Sequence, residues 1–282
     1  MNNLNFLVDV LKESPVFKTL EKNVKPGRTV CASGLSTINK SNIIYVLCRL
    51  KGVTAFCLAS DEKEAQTLCN DLSCMGLRAY VYPVRDFNFL DFQSRSHEYE
   101  HARLKVLLKL LNHECDVAIA CVDAAAQLTV PRNVLEQSVI EFEEGRELSL
   151  EKATKALTLL GYERFDAVEG SGQFSLRGGI LDFFMPDSDY PVRCEFWGDE
   201  ITDLSYFDIE TQRRFKKADK ITLSPSTEIV IEDRAALADK IEHKAKLLRS
   251  KNSAKAKEKL FSEAELIRSG AMIANADKFI NQ

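Results

Sequence analysis

Residues 172–207 have the sequence GQFSLRGGILDFFMPDSDYPVRCEFWGDEITDLSYF, in which short apolar runs follow one another without a helical pattern between them. Glycine, proline and aspartate separate the runs, and these residue types favour tight turns. Short runs of this kind joined by turns predict a small antiparallel sheet. The expected strands are 164–168, 172–176, 179–185, 191–197 and 200–207.

The N-terminal part of the chain has a different pattern, because β-branched apolar runs alternate there with amphipathic helical runs. This alternation predicts a parallel sheet that is covered by helices on both faces. We expect strands at 28–33, 53–59, 78–83 and 116–122, and helices at 1–20, 40–50, 61–76 and 96–112.

The change of pattern after Pro131 divides the 282 residues into three parts. We predict an α/β lobe at 1–135, an antiparallel domain at 136–225 that begins with a helix over 149–162, and a helical segment at 226–282. About two domains are expected for this length.

Composition excludes several classes of protein. The chain is 45% hydrophobic and 28% charged, which is ordinary for a folded soluble protein and excludes collagen-like or disordered chains. No apolar run is long enough to span a membrane, and the first residues do not form a signal peptide. The eight cysteines include no Cys-x-x-Cys pair, so zinc-ribbon and redox motifs are excluded and reduced, mostly buried thiols are expected. We therefore expect a cytoplasmic protein.

The net charge of −4 is unevenly distributed. Residues 234–260 carry a local net charge of +6, whereas residues 1–233 carry −9. The main body therefore lacks the basic surface of a general nucleic-acid binder. The basic segment is either a solvated helix face or a phosphate contact.

A degenerate phosphate-binding loop follows the first predicted strand. The motif G-x-x-x-x-G-K-[ST] is matched at Gly34, Lys40 and Ser41, but Asn39 replaces its second glycine. The Asn39 side chain would intrude where that glycine lets the backbone approach phosphate. The strand 116–122 ends without the acidic pair that holds Mg²⁺. Either the loop binds ATP, or it maintains the fold and has lost its ligand.

The sequence HEYEH (97–101) matches the H-E-x-x-H zinc motif. A zinc site needs a third ligand, and no other histidine has suitable spacing. We interpret these residues as a polar first turn of a helix and predict no metal site.

Strand alternation in PVRCEFW (191–197) places Cys194 and Phe196 on one face and Arg193, Glu195 and Trp197 on the other. Trp and Arg dominate the energetics of protein interfaces. Spacing alone leaves open whether Trp197 is part of the core or of a binding surface.

The blocks RGGILDFF, RCEFWGDEI and FD followed by TQRR (177–214) resemble the module shared by the nucleotide-excision-repair protein UvrB and the transcription-repair coupling factors (Mfd). The resemblance extends over about residues 10–230. It implies an α/β fold, namely an incomplete RecA/helicase-like parallel-sheet lobe with an inserted small antiparallel α+β domain and a helical C-terminal segment. It also implies that Arg177, Arg193 and Trp197 contact UvrA.

Two departures from UvrB favour the coupling-factor branch of this family. The phosphate loop is degenerate, and the stretch before the strand 116–122 is too short for the UvrB hairpin that clamps DNA. The resemblance then implies a UvrA-recruiting fragment without catalytic residues, metal or cofactor, which ends before the first lobe is complete. The full-length parent would bind RNA polymerase and double-stranded DNA and use ATP and Mg in its motor. The alternative is an active UvrB-type ATP-binding helicase lobe.

Overall fold

The chain folds into two compact units. A computed structural model describes residues 5–85, 98–138, 140–229, 231, 233–248 and 254–269. Unit 1 consists of the described residues within Met1–Asp86 and Lys105–Gln127, and unit 2 of those within Phe87–Leu104 and Leu128–Gln282. The three-part division at 135 and 225 stays a prediction.

Unit 1 alternates helices with parallel strands. Helix α5 contributes its residues from Lys105 onward to this unit. The elements are α1 (Asn5–Glu13), α2 (Pro15–Asn23), α3 (Thr37–Lys51), β1 (Ala55–Ala59), α4 (Glu62–Cys74), β2 (Ala79–Tyr82), α5 (Glu98–Leu111), β3 (Val117–Cys121) and α6 (Val122–Ala125).

The strands of unit 1 form a parallel sheet in the order β1-β3-β2. Ile119 of the central strand pairs with Cys57 on one side and Val81 on the other. This face packs on Val46 of α3 and Leu72 of α4, which are fully buried. Three of the four predicted strands are therefore confirmed.

The predicted strand at 28–33 is wrong. Within the described residues, the segment between α2 and α3 has no strand and joins no ladder. Gly27 and Gly34 flank it at φ +72° and +76°, so the backbone turns at both ends. Val30 and Ala32 instead line a cavity beside α2. The segment forms no strand because a strand needs a neighbouring backbone with which to exchange hydrogen bonds.

The predicted covering of both sheet faces is also wrong in part. The second face is covered over β2 and β3, where Ala118 and Ala120 pack with Val106 of α5. On β1, Phe56 and Leu58 remain 59% and 61% exposed. The apolar character of β1 predicted a covered strand, but the described residues leave one side of it open.

The predicted helix at 1–20 is two helices. Ser14 interrupts it, and its side chain accepts a hydrogen bond from the Phe17 amide at the start of α2. Pro15 occupies the first turn of α2, where a missing N–H costs nothing.

Unit 2 is built mainly from antiparallel strands. Its elements are α7 (Arg132–Gln137), β4 (Ile140–Glu143), α8 (Leu150–Leu159), β5 (Glu163–Arg164), β6 (Gln173–Arg177), β7 (Ile180–Phe183), β8 (Val192–Trp197), β9 (Glu200–Phe207), β10 (Arg214–Lys217), β11 (Lys220–Leu223), α9 (Arg234–Leu247) and α10 (Ala254–Ser269).

Six of these strands form one sheet in the order β10-β9-β8-β7-β6-β5. Strands β6 to β10 are antiparallel to their neighbours, whereas the two-residue β5 runs parallel to β6. The antiparallel prediction for 172–207 is confirmed, and the strand at 164–168 is reduced to its first residue. Strands β4 and β11 form a separate antiparallel pair, which the sequence did not predict. The sequence of β4, IEFE at Ile140–Glu143, is too acidic to suggest a strand.

The core of unit 2 lies on one face of this sheet. The predicted helix over 149–162 is confirmed as α8, which supplies Ala153 and Leu157 to that core. The sheet contributes fully buried apolar side chains to the same cluster: Leu181, Phe183, Val192, Cys194, Ile201 and Leu204.

The predicted helical segment after residue 225 is confirmed for the described residues as α9 and α10. These helices pack through Ala238 and Ile241 of α9 and Ala264 and Ile267 of α10. No helix in the described part of the chain is long and apolar enough to cross a membrane.

Candidate protein-docking surface

The register of the antiparallel strands collects the predicted contact residues on one face. Asp182 of β7 lies opposite Arg193 of β8, and Ile180 lies opposite both Arg177 and Glu195. Directly opposed residues in antiparallel strands point to the same side of the sheet. We call this side, opposite to the core, the docking face.

Two tight turns bring Arg177 and Trp197 to the same end of that sheet. Gly178–Gly179 joins β6 to β7, and Gly198–Asp199 joins β8 to β9. Gly178 and Gly198 adopt φ +62° and +63°, which favours glycine. A Cβ on Gly179 would lie 2.8 Å from the Phe196 carbonyl oxygen, so a larger residue would separate the two turns.

Trp197 is the most exposed large side chain of this end of the sheet. Its side chain is 81% exposed, whereas Cys194 and Phe196 are buried in the core. The alternation predicted from PVRCEFW is therefore confirmed, and the question left open by spacing is settled in favour of exposure. An exposed indole of this size is an unusual surface feature.

Arg193 is held by the buried carboxylate of Asp182. Its Nε and one Nη lie 2.7 and 2.8 Å from the two Asp182 oxygens, a bidentate geometry. The guanidinium also lies 4.4 Å from the centre of the Phe207 ring. Hydrogen bonding to Asp182 raises the pKa of Arg193, which keeps it charged. Only 13% of the Arg193 side chain remains exposed.

Arg177 shares the same carboxylate but remains accessible. One of its Nη atoms lies 2.8 Å from Asp182 Oδ2, and half of its side chain is exposed. The Asp182 side chain is only 1% exposed, and its buried carboxylate contacts the guanidinium groups of both Arg177 and Arg193. The remaining guanidinium N–H groups of Arg177 are oriented by this contact and lie at the surface.

A turn after β9 completes the support of Arg193. Gln212 accepts hydrogen bonds from Arg193 through its backbone and side-chain oxygens, at 3.2 and 3.0 Å. Gln212 adopts φ +57°, which is uncommon for a residue other than glycine. Sequence analysis missed Gln212 and Asp182. The signal for Asp182 was a lone acidic residue within ILDFF, because buried carboxylates are nearly always paired.

The second predicted site, the phosphate loop, has its polar side chains engaged within unit 1. Gly34 adopts φ +76°, and α3 begins at Thr37, before Asn39. Lys40 Nζ lies 2.8 Å from Glu64 Oε1, and the Ser41 hydroxyl donates to Asp71 Oδ2 at 2.9 Å.

These two interactions occupy the groups that a phosphate loop would offer to its ligand. The hydrogen bond from Lys40, followed by those from Ser60, lowers the pKa of Glu64 to about 2. Glu64 is therefore ionised at neutral pH. Ser41 is fully buried, so its hydroxyl is not presented to solvent.

The third candidate, the HEYEH motif, lies only partly within the described residues. His97 is outside them, and Glu98 begins α5. The His101 ring lies against Gly172, where an added Cβ would come within 2.7 Å of it. Among the described residues, no group of three or more His, Cys, Asp or Glu side chains could hold a metal ion.

Part of the chain matches a known protein family. Residues 140–229, which include the entire six-stranded sheet, match the family described as UvrB interaction domain. Residues 140–229 are therefore similar to the module that the sequence blocks at 177–214 suggested.

Over most of its length the chain is similar to transcription-repair-coupling factors, as the resemblance predicted. The protein of that name from Bacillus subtilis is 28% identical over 82% of this chain. Those from Haemophilus influenzae and Escherichia coli are 26% and 29% identical over 75% and 64% of it. The chain spans about a fifth of the length of these relatives, with 20%, 18% and 16% covered.

Proposed function

We propose that this chain is the UvrA-recruiting, UvrB-like N-terminal module of a bacterial transcription-repair coupling factor. The observation that carries the proposal is the docking face, where an exposed Trp197 lies at the same end of the sheet as the carboxylate-oriented Arg177. The similarity of residues 140–229 to the UvrB interaction domain supports a protein partner for this face. Recruitment of the repair machinery to stalled RNA polymerase on DNA would depend on the rest of the full-length protein.

The binding mechanism follows from the exposure of each side chain. Trp197 fills an apolar pocket on UvrA and loses its exposed area to the partner. Arg177 pairs with an acidic group of UvrA through the N–H groups that Asp182 leaves free. Only a small part of the Arg193 side chain is accessible to UvrA. Its larger contribution is therefore to hold Asp182 and the turn at Gln212 in place.

Replacing Trp197 with alanine is expected to weaken UvrA binding by about 2 kcal/mol or more, roughly thirtyfold. Arg177→Ala and Arg193→Ala are expected to weaken it as well. The measurement is the dissociation constant for purified UvrA by surface-based binding or pull-down, with circular dichroism to verify folding. Phe165→Ala is the matched control, because Phe165 is also exposed but lies beside β5, at the edge of the sheet away from Trp197. Unchanged binding in all three variants would remove the docking face from the proposal.

We also propose that unit 1 is a helicase-type lobe whose phosphate loop no longer binds nucleotide. The support is the pairing of Lys40 with Glu64 and the burial of Ser41 against Asp71. Titration of the chain with MgATP is therefore expected to release no binding heat in calorimetry. A saturable signal that Lys40→Ala abolishes would instead establish the alternative, an active UvrB-type ATP-binding lobe. Glu64→Gln, which frees Lys40 without removing it, is the informative companion variant.

A further inference from the structure

The six-stranded sheet has an open edge at β10. This strand pairs with β9 on one side, and no other strand among the described residues pairs with it on the other. All four residues from Arg214 to Lys217 are exposed. An unpaired edge presents backbone N–H and C=O groups that can accept another strand. The opposite edge strand, β5, has only two residues and therefore offers fewer backbone groups for strand pairing.

Two aromatic side chains lie together at this edge. The Phe215 and Tyr190 rings are 4.7 Å apart at 69°, an edge-to-face contact. They are 52% and 48% exposed. Lys216 places its ammonium 5.6 Å from the ring centre of Tyr206, which is half-buried beside them. We call Tyr190, Tyr206, Phe215 and Lys216, together with Arg213, the β10 edge surface.

The charges of the β10 edge surface are partly unneutralised. Arg214 pairs with Glu195 and Asp203, and Lys217 pairs with Glu144. The side chains of Arg213 and Lys216 make no ion pair with any described residue.

Carboxylates also lie near this surface, in the turn before β8. Asp187 there accepts a hydrogen bond from Ser224, and Asp189 follows it. The turn is therefore acidic, whereas two available cations lie at the edge: Lys216 in β10 and Arg213 just before it.

Charged edges commonly serve to prevent strand pairing, which is the alternative role for β10. The lysines and arginines and the register shift between Arg214 and Lys216 fit that role, but the exposed ring of Phe215 at the shift does not. An apolar ring on an open edge promotes pairing and would be selected against in a purely protective edge. The aromatic contact also gives a partner side chain an apolar surface to cover.

We propose that β10 accepts an extended, acidic segment of a partner protein by strand addition. Backbone hydrogen bonds to β10 would provide the affinity, and alternate acidic side chains would pair with Arg213 and Lys216. The Tyr190–Phe215 pair would cover an apolar side chain of the added strand. This surface is distinct from Trp197, because Tyr190 precedes β8 and Trp197 ends it.

The test uses the full chain, isotope-labelled, and a short blocked peptide in which glutamate alternates with valine. Titration is expected to shift the amide signals of residues 213–217 in a saturable manner. Two control peptides are expected to lose this effect: one with lysine in place of glutamate, and one with alternate backbone nitrogens methylated. Methylation removes the donors that strand pairing needs, so it separates strand addition from simple charge attraction.

Variants test whether the peptide binds at the β10 edge surface. Phe215→Ser and Lys216→Glu are each expected to weaken peptide binding about fivefold to tenfold. Phe165→Ser is the matched control, because Phe165 is also exposed but lies beside β5. Trp197→Ala should bind the peptide normally, so failure of UvrA recruitment and failure of this proposal are distinguishable.

Three results would overturn the proposal. They are the absence of amide shifts at 213–217, equal binding of the methylated peptide, and stronger shifts of the same amides by single-stranded oligothymidylate. The last result would assign the aromatic and basic groups to a nucleic acid, which stacks its bases on exposed rings.

Discussion

Glu228→Gln is expected to lower the free energy of unfolding of unit 2 by about 3–5 kcal/mol. Glu228 Oε1 lies 2.7 Å from Arg103 Nε, and both side chains are completely buried. The glutamine keeps the shape of the side chain but removes the negative charge from a completely buried ion pair. Removing one charge of a buried pair is among the most destabilising changes a core can suffer.

The size of this loss follows from what else surrounds the pair. The Glu228 backbone amide donates to Glu100 Oε1 at 2.9 Å, and Glu100 also accepts from the Thr227 hydroxyl at 2.7 Å. The segment that follows β11 is thereby fixed to α5 by a connected set of polar contacts. Since domains are commonly stable by only about 5–15 kcal/mol, the loss is a large fraction of the total.

Denaturant unfolding followed by circular dichroism measures the effect. The matched control is Glu136→Gln, which breaks an exposed ion pair with Arg132 at a similar distance of 2.8 Å. We expect that control to cost less than about 0.5 kcal/mol. The double variant Arg103→Met with Glu228→Met should be more stable than either charge deletion alone, because it removes both charges. Equal costs for the buried and exposed pairs would contradict this account.

The sequence predicted the sheet of unit 2 well because its information is local. In β8, alternation with a period of two placed Cys194 and Trp197 on opposite faces of the strand, and the turn glycines marked the strand ends. The same local reasoning could not find the Arg103–Glu228 pair. These residues are 125 positions apart, and only the completed fold brings them together.

The errors in unit 1 have a related cause. Residues 28–33 have the composition of a strand, but a strand forms only where a neighbouring backbone is available. In the described residues the free side of β1 has no partner strand, and Val30 instead lines a cavity beside α2. The degenerate phosphate loop was recognised from Asn39, whereas the engagement of Lys40 by Glu64 depends on α4 and was not visible in the motif.

Some features of the docking face could be predicted from the sequence and others could not. Trp197 and Arg177 were identified from their residue types and from the family resemblance. Arg193 was predicted as an equal contact, but the structure places most of it beneath the surface, bonded to Asp182 and Gln212. Exposure, unlike residue type, cannot be read from a motif.

Asp182→Asn is the second prediction with a large expected effect. Asp182 is the only acidic partner that the described residues give to the guanidinium of either Arg177 or Arg193. Removing its charge leaves Arg193, which is mostly buried, without a counter-ion. We expect the free energy of unfolding to fall by about 3 kcal/mol. Asp203→Asn, which removes a half-exposed partner of Arg214, is the control and should cost less than about 1 kcal/mol.

The same variant tests whether Asp182 positions the cations for binding. At a temperature where Asp182→Asn remains folded, UvrA binding is expected to fall about tenfold, because Arg177 is no longer oriented. A double-mutant cycle with Arg177→Ala gives the decisive measurement. If Asp182 acts through Arg177, the effect of Arg177→Ala on UvrA affinity should shrink in the Asp182→Asn background.

Strict additivity of the two changes would contradict that role and leave Asp182 as a structural residue alone. Loss of stability with unchanged UvrA affinity would lead to the same conclusion. Non-additivity, in contrast, requires the buried carboxylate and the exposed guanidinium to act as one unit toward the partner. A carboxylate that is 1% exposed cannot itself reach a partner, so its influence on affinity must pass through the cations that it holds.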